Sequence, residues 1–136
     1  MTAPQRQFPD ARLTVADPLD APDELLQPLH AYALGHATGS PEHFRRAFRD
    51  TAHIEGIRDG AFASWDLETY CGLFHGPAED EEERSRVVDS VQMTGTIATA
   101  AMTLHHGENL FTDLFLLVRD ADGWRIANKV YHRDDA

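Results

Sequence analysis

The chain has 136 residues, enough for one domain with a hydrophobic core and too few for two. Acidic residues outnumber basic ones by 23 to 12, and the formal net charge at pH 7 is −11. Because a surface of this charge repels phosphate groups and anionic lipids, we expect neither nucleic acid nor a membrane as a partner. The single cysteine, Cys71, cannot form an intramolecular disulfide, and it fits a reducing, cytoplasmic location as a structural thiol.

The first twenty residues read differently from the rest of the chain. Three prolines and three aspartates are mixed there, which is typical of a flexible arm, and residues 13–15 form its one short extended piece. The arm lacks the basic and apolar stretches of a secretory signal, and no later segment is long and apolar enough to span a membrane. We therefore predict a flexible N-terminal arm at residues 1–20 and a single domain at residues 21–136.

Helical patterns dominate the first half of the predicted domain. The first helix is predicted at 22–37 from its apolar stripe, and Pro28 within it predicts a kink because proline removes a backbone hydrogen bond. The second begins at Ser40-Pro41, a cap followed by a first-turn proline. A third is predicted to begin at Ser64 and to end at Gly76-Pro77. The acidic run that follows is interpreted as a solvated loop without a metal site.

Strand patterns dominate the second half. Alternating and β-branched stretches separated by glycine turns predict one early strand and four late ones, at 52–57, 86–94, 96–106, 109–119 and 124–132. The tight-turn signal Asp59-Gly60 after the early strand predicts a second strand beside it, so the order is helix, helix, strand pair, helix and then long antiparallel strands. This order predicts an α+β fold in which a curved, cone-shaped antiparallel sheet wraps round three N-terminal helices.

The turn between the last two strands determines which of their side chains share a face. With a two-residue turn, Asp120 lies opposite Gly123, and the two residues of each opposed pair further along share a face, which alternates from one pair to the next. A longer turn would exchange the faces and bring Lys129 inward. The predicted inner face of these two strands consists of Asp113, Phe115, Leu117, Trp124, Ile126, Asn128, Val130 and His132.

The predicted outer face retains an apolar patch. Leu114, Leu116 and Val118 alternate with the inward residues of the penultimate strand. An exposed apolar patch on a sheet typically marks a subunit interface. A homodimer through the outer face is the simplest arrangement that covers it.

The end of the chain resembles a known superfamily. The run 113–132, with Gly123-Trp124-Arg125-Ile126 and the segment Asn128–His132, is similar to the closing hairpin of nuclear-transport-factor-two-like domains, in the branch of putative lumazine-binding or SnoaL-like proteins. The upstream order agrees, with 32–39 before the second helix and 48–56 entering the first strand. The resemblance covers most of the chain. It implies a cone with a pocket between sheet and helices, and commonly a dimer.

The resemblance leaves the activity open, because ketosteroid isomerases, dehydratases, cyclases and association domains share this cone. The isomerase pattern has a tyrosine in the first helix, which Tyr32 supplies. It also has an aspartate base after the first strand and a second acid in the penultimate strand. Those two positions fall on Gly56 and Phe115, which exchange no protons. Isomerase chemistry of that kind is therefore not expected.

A few polar groups in an apolar cavity are the usual make-up of a small-molecule site. Asp113 and His132 are the candidate catalytic residues, because burial would raise the pKa of the carboxyl group and suit it to proton transfer. The alternative is that Asp113 pairs with His132, Lys129 or a backbone amide and stabilises the fold. The side chains expected to contact a ligand are Tyr32, Trp65, Tyr70, Phe115 and Asn128.

Other polar residues rank lower. His53 and Glu55 face outward if Ile54 faces inward. His105 and His106 are adjacent on a strand, so they point to opposite faces and cannot chelate one ion together. No cofactor and no metal are expected.

Three functions fit these patterns. The leading hypothesis is the binding of a small organic molecule in the apolar cone, with or without turnover. The first alternative is a non-catalytic, dimeric association domain that uses the outer face. The second is a SnoaL-like cyclase, isomerase or dehydratase with Asp113 and His132 as an acid–base pair.

Overall fold

A computed structural model describes residues 6–16 and 20–134. Three helices are present in these ranges: α1 (Asp23–Thr38), α2 (Pro41–Ala47) and α3 (Leu67–Cys71). The strands are β1 (Gln7–Phe8), β2 (Leu13–Val15), β3 (His53–Arg58), β4 (Ala61–Asp66), β5 (Ser85–Thr94), β6 (Ile97–His106), β7 (Asn109–Asp120) and β8 (Gly123–Asp134). Two short 3₁₀ turns lie at Pro9–Ala11 and Glu81–Glu83.

The eight strands form one open sheet in the order β1-β2-β5-β6-β7-β8-β3-β4. This architecture confirms the predicted α+β cone fold. The sheet is mixed rather than wholly antiparallel, because β2 runs parallel to β5 and β3 runs parallel to β8. Of the helices described, none is long and apolar enough to cross a membrane.

The core lies between helix α1 and the inner face of the sheet. On the helix side, Leu25, Leu29 and Tyr32 are almost completely buried. On the sheet side, the alternating inward residues of β6 are buried as predicted: Ala98, Ala100, Met102 and Leu104. Each large apolar side chain buried in this way stabilises the fold by about 1.5–3 kcal/mol. Helix α1 continues through Pro28, whose ring removes a single backbone hydrogen bond.

The described part of the N-terminal arm is built into the fold. Residues 6–16 contain β1 and β2, and β2 pairs with β5 beginning at Leu13 opposite Arg86. Ala11, Leu13 and Val15 are buried in the core. The prediction of a loose arm therefore does not hold for residues 6–16. The alternating apolar residues of this segment are buried when β2 pairs with the edge of β5. The remainder of the predicted arm up to residue 19, at 1–5 and 17–19, lies outside the described residues.

Helix α3 begins later than predicted. Ser64 lies within β4, opposite Glu55, and is not the cap. The cap is Asp66, whose side chain accepts a hydrogen bond of 2.8 Å from the backbone N–H of Thr69. Asp66 ends the β4 hairpin and starts the helix, and an aspartate satisfies a first-turn N–H as well as a serine does. The helix is also shorter than predicted and ends at Cys71.

A β-bulge changes the register of the last hairpin. Asp120 lies opposite Gly123 and Leu117 opposite Ile126, as predicted, but Leu116 then pairs with Asn128 and leaves Ala127 without a partner. Because side chains alternate along a strand, one extra residue moves every later side chain to the other face. Past the bulge, the prediction of the β8 faces was wrong. Lys129 and Tyr131 face inward, and Asn128, Val130 and His132 face outward.

Candidate functional site

A cavity of about 310 Å³ lies between the helices and the inner face of the sheet. Helix α1 contributes Tyr32 and His36 to its wall, and Tyr70 of α3 and Phe74 close one side. The hairpin of β3 and β4 contributes Arg58 and Trp65. The remaining lining residues come mostly from β6, β7 and β8 and include Leu104, His106, Phe111, Asp113, Lys129 and Tyr131.

Three buried polar side chains meet in the wall of this cavity. The Tyr32 hydroxyl donates a hydrogen bond of 2.5 Å to Asp113 Oδ2. Lys129 Nζ donates to the Tyr32 hydroxyl at 2.6 Å and lies 3.4 Å from Asp113 Oδ2. None of the three is more than 4% exposed. The phenol thus connects the amine to the carboxylate, and we call Tyr32, Asp113 and Lys129 the buried triad.

Burial changes the proton affinities within the triad. Loss of water, followed by the neighbouring Asp113 carboxylate, raises the pKa of the Tyr32 phenol well above its ordinary value. The same loss of water lowers the pKa of the Lys129 ammonium, and Asp113 only partly opposes this effect. Tyr32 is therefore a neutral phenol at pH 7, and Lys129 gives up its proton more readily than an exposed lysine.

Aromatic rings surround the lysine amine. Lys129 Nζ lies 4.8 Å from the ring centroid of Tyr32, 5.2 Å from that of Tyr70 and 5.3 Å from that of Tyr131. Ring faces at these distances attract a cation. The rings also separate the amine from bulk water.

The Tyr131 hydroxyl is buried and has no hydrogen-bond partner among the described residues. Its ring stacks on Trp65, with centroids 6.1 Å apart and an interplanar angle of 6°. Leaving such a hydroxyl unpaired costs about 1–3 kcal/mol. It is therefore a group that a bound molecule would satisfy.

Two neutral histidines form another part of the wall. His36 Nε2 lies 3.0 Å from the Tyr70 hydroxyl, and Arg86 Nε donates to His106 Nε2 at 3.1 Å. Because a guanidinium has no acceptor, His106 Nε2 must accept, and its hydrogen must be on Nδ1. Burial and then His106 lower the pKa of His36 well below its usual range. Burial and then Arg86 lower the pKa of His106 to about 3.

Arg86 is fully buried behind this wall, which the sequence did not indicate. Its guanidinium forms two hydrogen bonds with Glu81, at 2.8 and 3.0 Å, and one with the carbonyl of Ala11. Glu81 belongs to the acidic run that we interpreted as a solvated loop. Glu81 instead neutralises the buried charge of Arg86, because a buried charge needs an ionic or hydrogen-bonding partner.

The structure brings together some of the predicted site residues. Asp113, Tyr32, Trp65 and Tyr70 all line the cavity. Phe115 lies in the core below it, with its ring 5.0 Å from that of Tyr32.

The bulge places the other two predicted site residues outside. Asn128 is exposed, and its Oδ1 accepts a hydrogen bond from the His53 backbone N–H at 3.1 Å. His132 is exposed on the outer face and pairs with Asp134. An acid–base pair of Asp113 and His132 is therefore not formed, because the two side chains lie on opposite faces of the sheet.

The lower-ranked candidates lie away from the cavity, apart from His106. His53 is exposed, and His105 and His106 point to opposite faces as predicted. Gly56, at the position of the isomerase base, leaves no room for an acid, since a Cβ there would lie 2.6 Å from the carbonyl oxygen of Tyr131. In the ranges 6–16 and 20–134, no three His, Cys, Asp or Glu side chains are grouped to hold a metal ion.

Several solved structures share this fold. An NTF2-like protein of unknown function from Shewanella baltica OS155 has a TM-score of 0.73 at 22% identity, over 84% of this chain and 94% of its own. An NTF2-like protein of unknown function from Methylobacillus flagellatus KT has a TM-score of 0.64 at 25% identity, over 82% and 90%. A putative Ca/calmodulin-dependent kinase II association domain from Exiguobacterium sibiricum 255-15 has a TM-score of 0.57 at 16% identity, over 87% and 98%.

The fold and its cavity define the protein as a nuclear-transport-factor-two-like domain. A sequence model of one family within this class, described as putative lumazine-binding, matches residues 20–132. The chain therefore belongs to that family. No curated protein matches the sequence.

Proposed function

We propose that the protein binds a small organic molecule in the cavity beside the buried triad. The observation that carries this proposal is the unpartnered Tyr131 hydroxyl, in a cavity where the buried Tyr32, Asp113 and Lys129 side chains already bond to one another. A ligand atom that accepts from or donates to this hydroxyl would remove the cost of its burial. The description of the family as lumazine-binding supports a small-molecule ligand.

The shape of the cavity favours a flat molecule of one or two rings. A volume of about 310 Å³ is at the small end of known ligand pockets. The parallel rings of Trp65 and Tyr131 provide a planar surface, with Phe74 and Phe111 elsewhere in the wall. The net charge of −11 supports our expectation that neither nucleic acid nor a membrane is a partner, and the single cysteine supports our expectation of a cytoplasmic location.

Thermal unfolding with a panel of ring compounds tests this proposal. The panel contains lumazine, other pterins, steroids and polyketide-like aromatics. A ligand at 100 times its dissociation constant is expected to stabilise the native state by about 2.7 kcal/mol, and the stabilisation should increase with ligand concentration. A melting temperature that no compound in the panel raises would contradict the proposal.

The same experiment on Tyr131→Phe locates the site. This variant loses one oxygen atom that bonds to no described residue, so the free protein is expected to keep its stability. The bound ligand is expected to lose about 1–3 kcal/mol of affinity. Thr99→Val is the matched control, because it removes a hydroxyl from an exposed residue on the outer face. Equal affinity in both variants would place the ligand elsewhere.

A second candidate function is association through the outer sheet face. Leu114, Leu116 and Val130 are each about half exposed there, and Ile97 is exposed beside them. The bulge adds Val130 to the predicted patch. An apolar patch on a sheet favours a homodimer, and one structural neighbour is described as a putative association domain.

Sizing with light scattering tests the association. We expect a dimer at micromolar concentration, and Leu116→Lys should convert it to a monomer, since a charge would be buried in the interface. Met93→Lys is the control, because Met93 is exposed on the opposite face, where β5 pairs it with Ala98. A wild-type chain that is monomeric under these conditions would exclude the dimer.

A further inference from the structure

Lys129 differs in kind from every other cationic side chain of this protein. The twelve basic residues comprise eleven arginines and one lysine. That lysine is 4% exposed, and it lines the cavity. The position is therefore unusual both in residue type and in surroundings.

An arginine would serve a purely structural ion pair better at this position. A guanidinium binds a carboxylate through two parallel hydrogen bonds, and it does not lose its proton in proteins. The Lys129 amine makes one close hydrogen bond, to Tyr32, and a long one to Asp113. What lysine can do and arginine cannot is become a neutral amine that attacks a carbonyl carbon.

The buried triad provides a route for the proton that must leave. Tyr32 accepts from Lys129 Nζ at 2.6 Å and donates to Asp113 Oδ2 at 2.5 Å. If Nζ passes a proton to the phenol oxygen while the phenol proton moves to Asp113, the products are a neutral amine and a neutral carboxylic acid. No phenolate accumulates. Burial, which lowers the pKa of Lys129, favours the same direction.

We propose that Lys129 captures an aldehyde or ketone in the cavity by forming an imine with it. This inference rests on the proposed function, because the carbonyl compound must enter the same cavity. The rings of Tyr32, Tyr70 and Tyr131 around Nζ favour an aromatic carbonyl compound. The Tyr131 hydroxyl, in the same wall, is available to donate to the carbonyl oxygen.

The reaction balances without any further reactant. The nitrogen lone pair forms the C–N bond, and one of the two protons on that nitrogen moves to the carbonyl oxygen to give a carbinolamine. The nitrogen lone pair then forms the C=N bond while the C–O bond breaks, and the hydroxyl group leaves as water with the proton of the Asp113 carboxylic acid. The product is a protonated imine, which keeps one N–H and a positive charge beside the Asp113 carboxylate. One ammonium group and one carbonyl compound give one protonated imine and one water. Asp113 ends as the carboxylate with which it began.

Reductive trapping with benzaldehyde and sodium cyanoborohydride tests the inference on the native protein. The chain has two kinds of primary amine, the Lys129 side chain and the α-amino group, and peptide mapping distinguishes them. In an unfolded chain the α-amino group reacts first, because its pKa of about 8 lies below the 10.4 of lysine. In the native protein we expect the reverse order, with Lys129 labelled about tenfold faster than the α-amino group. The same reaction in 8 M urea should restore the order of the unfolded chain.

Two further measurements connect the labelling to the cavity and the triad. Benzyl alcohol has the same ring without the carbonyl group, and it should protect Lys129 but not the α-amino group. Asp113→Asn should slow labelling of Lys129 about tenfold, because the amide cannot receive the proton. Asp89→Asn, at an exposed residue of β5, should leave the rate unchanged. If Asp113→Asn does not fold, protection of wild-type Lys129 by benzyl alcohol still shows whether the labelled amine lies in the cavity.

The outcomes separate the two proposals. If benzyl alcohol stabilises the protein but native Lys129 is labelled no faster than the α-amino group, the imine inference is wrong and small-molecule binding stands. If benzyl alcohol neither stabilises the protein nor protects Lys129, and Lys129 remains unlabelled, the imine inference is wrong. Its premise that the cavity admits a ring compound is then wrong as well. If Lys129 is labelled at the same rate in Asp113→Asn and wild type, the triad does not transfer the proton.

Discussion

Acidification from pH 6.5 to pH 4.5 is expected to lower the free energy of unfolding by about 2 kcal/mol through His106 alone. The native state holds this imidazole neutral, with a pKa of about 3, because it is buried beside Arg86. In the unfolded chain it takes up a proton near its ordinary pKa of 6.5. The unfolded state thus binds more protons below pH 6.5, and stability decreases as the pH falls toward the native pKa.

His36 acts in the same direction, because burial and the charges of Lys129 and Arg86 also lower its pKa. The cations near the two rings are Arg84, Arg86 and Lys129, and they disfavour a further positive charge at either ring. The stability present above pH 6.5 is therefore lost in a window that begins near pH 6.5. Carboxylates elsewhere titrate at lower pH and add their own effects.

Urea unfolding at pH 6.5 and pH 4.5 measures this dependence. The His106→Gln variant keeps an acceptor for Arg86 and removes the titrating ring, so its stability should fall by about 2 kcal/mol less than that of wild type. His132→Gln is the matched control, because His132 is exposed on the outer face and should retain the wild-type dependence. An equal loss in His106→Gln and wild type would show that the buried ring is not the source.

Replacing Asp113 by Leu is expected to destabilise the fold by about 3–5 kcal/mol. The substitution leaves Lys129 buried without a counter-charge and leaves the Tyr32 hydroxyl without its acceptor. An unpaired buried charge costs more than a pair contributes, so the loss should exceed that for an ordinary buried polar residue. Asp113 is therefore a residue of the fold as well as of the cavity.

The double variant Asp113→Leu with Lys129→Met distinguishes charge from shape. Removing both charges from a buried pair is often close to neutral, so the double variant should recover most of the stability lost in Asp113→Leu. Urea unfolding of the two single variants and the double variant measures the coupling. Asp89→Leu, on the exposed side of β5, should cost less than about 1 kcal/mol. A double variant as unstable as the sum of the single ones would mean that the two side chains act independently.

Much of the fold follows from periodicity and turn chemistry alone. The apolar stripe of α1, the alternation along β6 and the two-residue turn after Asp120 were all predicted and are all present. These features are local, because the spacing of apolar residues and the conformations open to a turn depend on neighbouring residues. The order of the elements then indicated the cone fold and the resemblance to its superfamily.

The identity of the site residues depended on contacts that are distant in sequence. Both possible registers of β8 present alternating side chains, so the composition around Ala127 does not reveal the bulge that turns Lys129 inward and His132 outward. Burial of Arg86 depends on Glu81 and on the carbonyl of Ala11, and Ala11 is 75 residues away. The sequence by itself therefore indicated a cone with polar groups on its inner face. Only the pairing of β7 with β8 determined which groups these are, because one added residue exchanges the two faces of a strand.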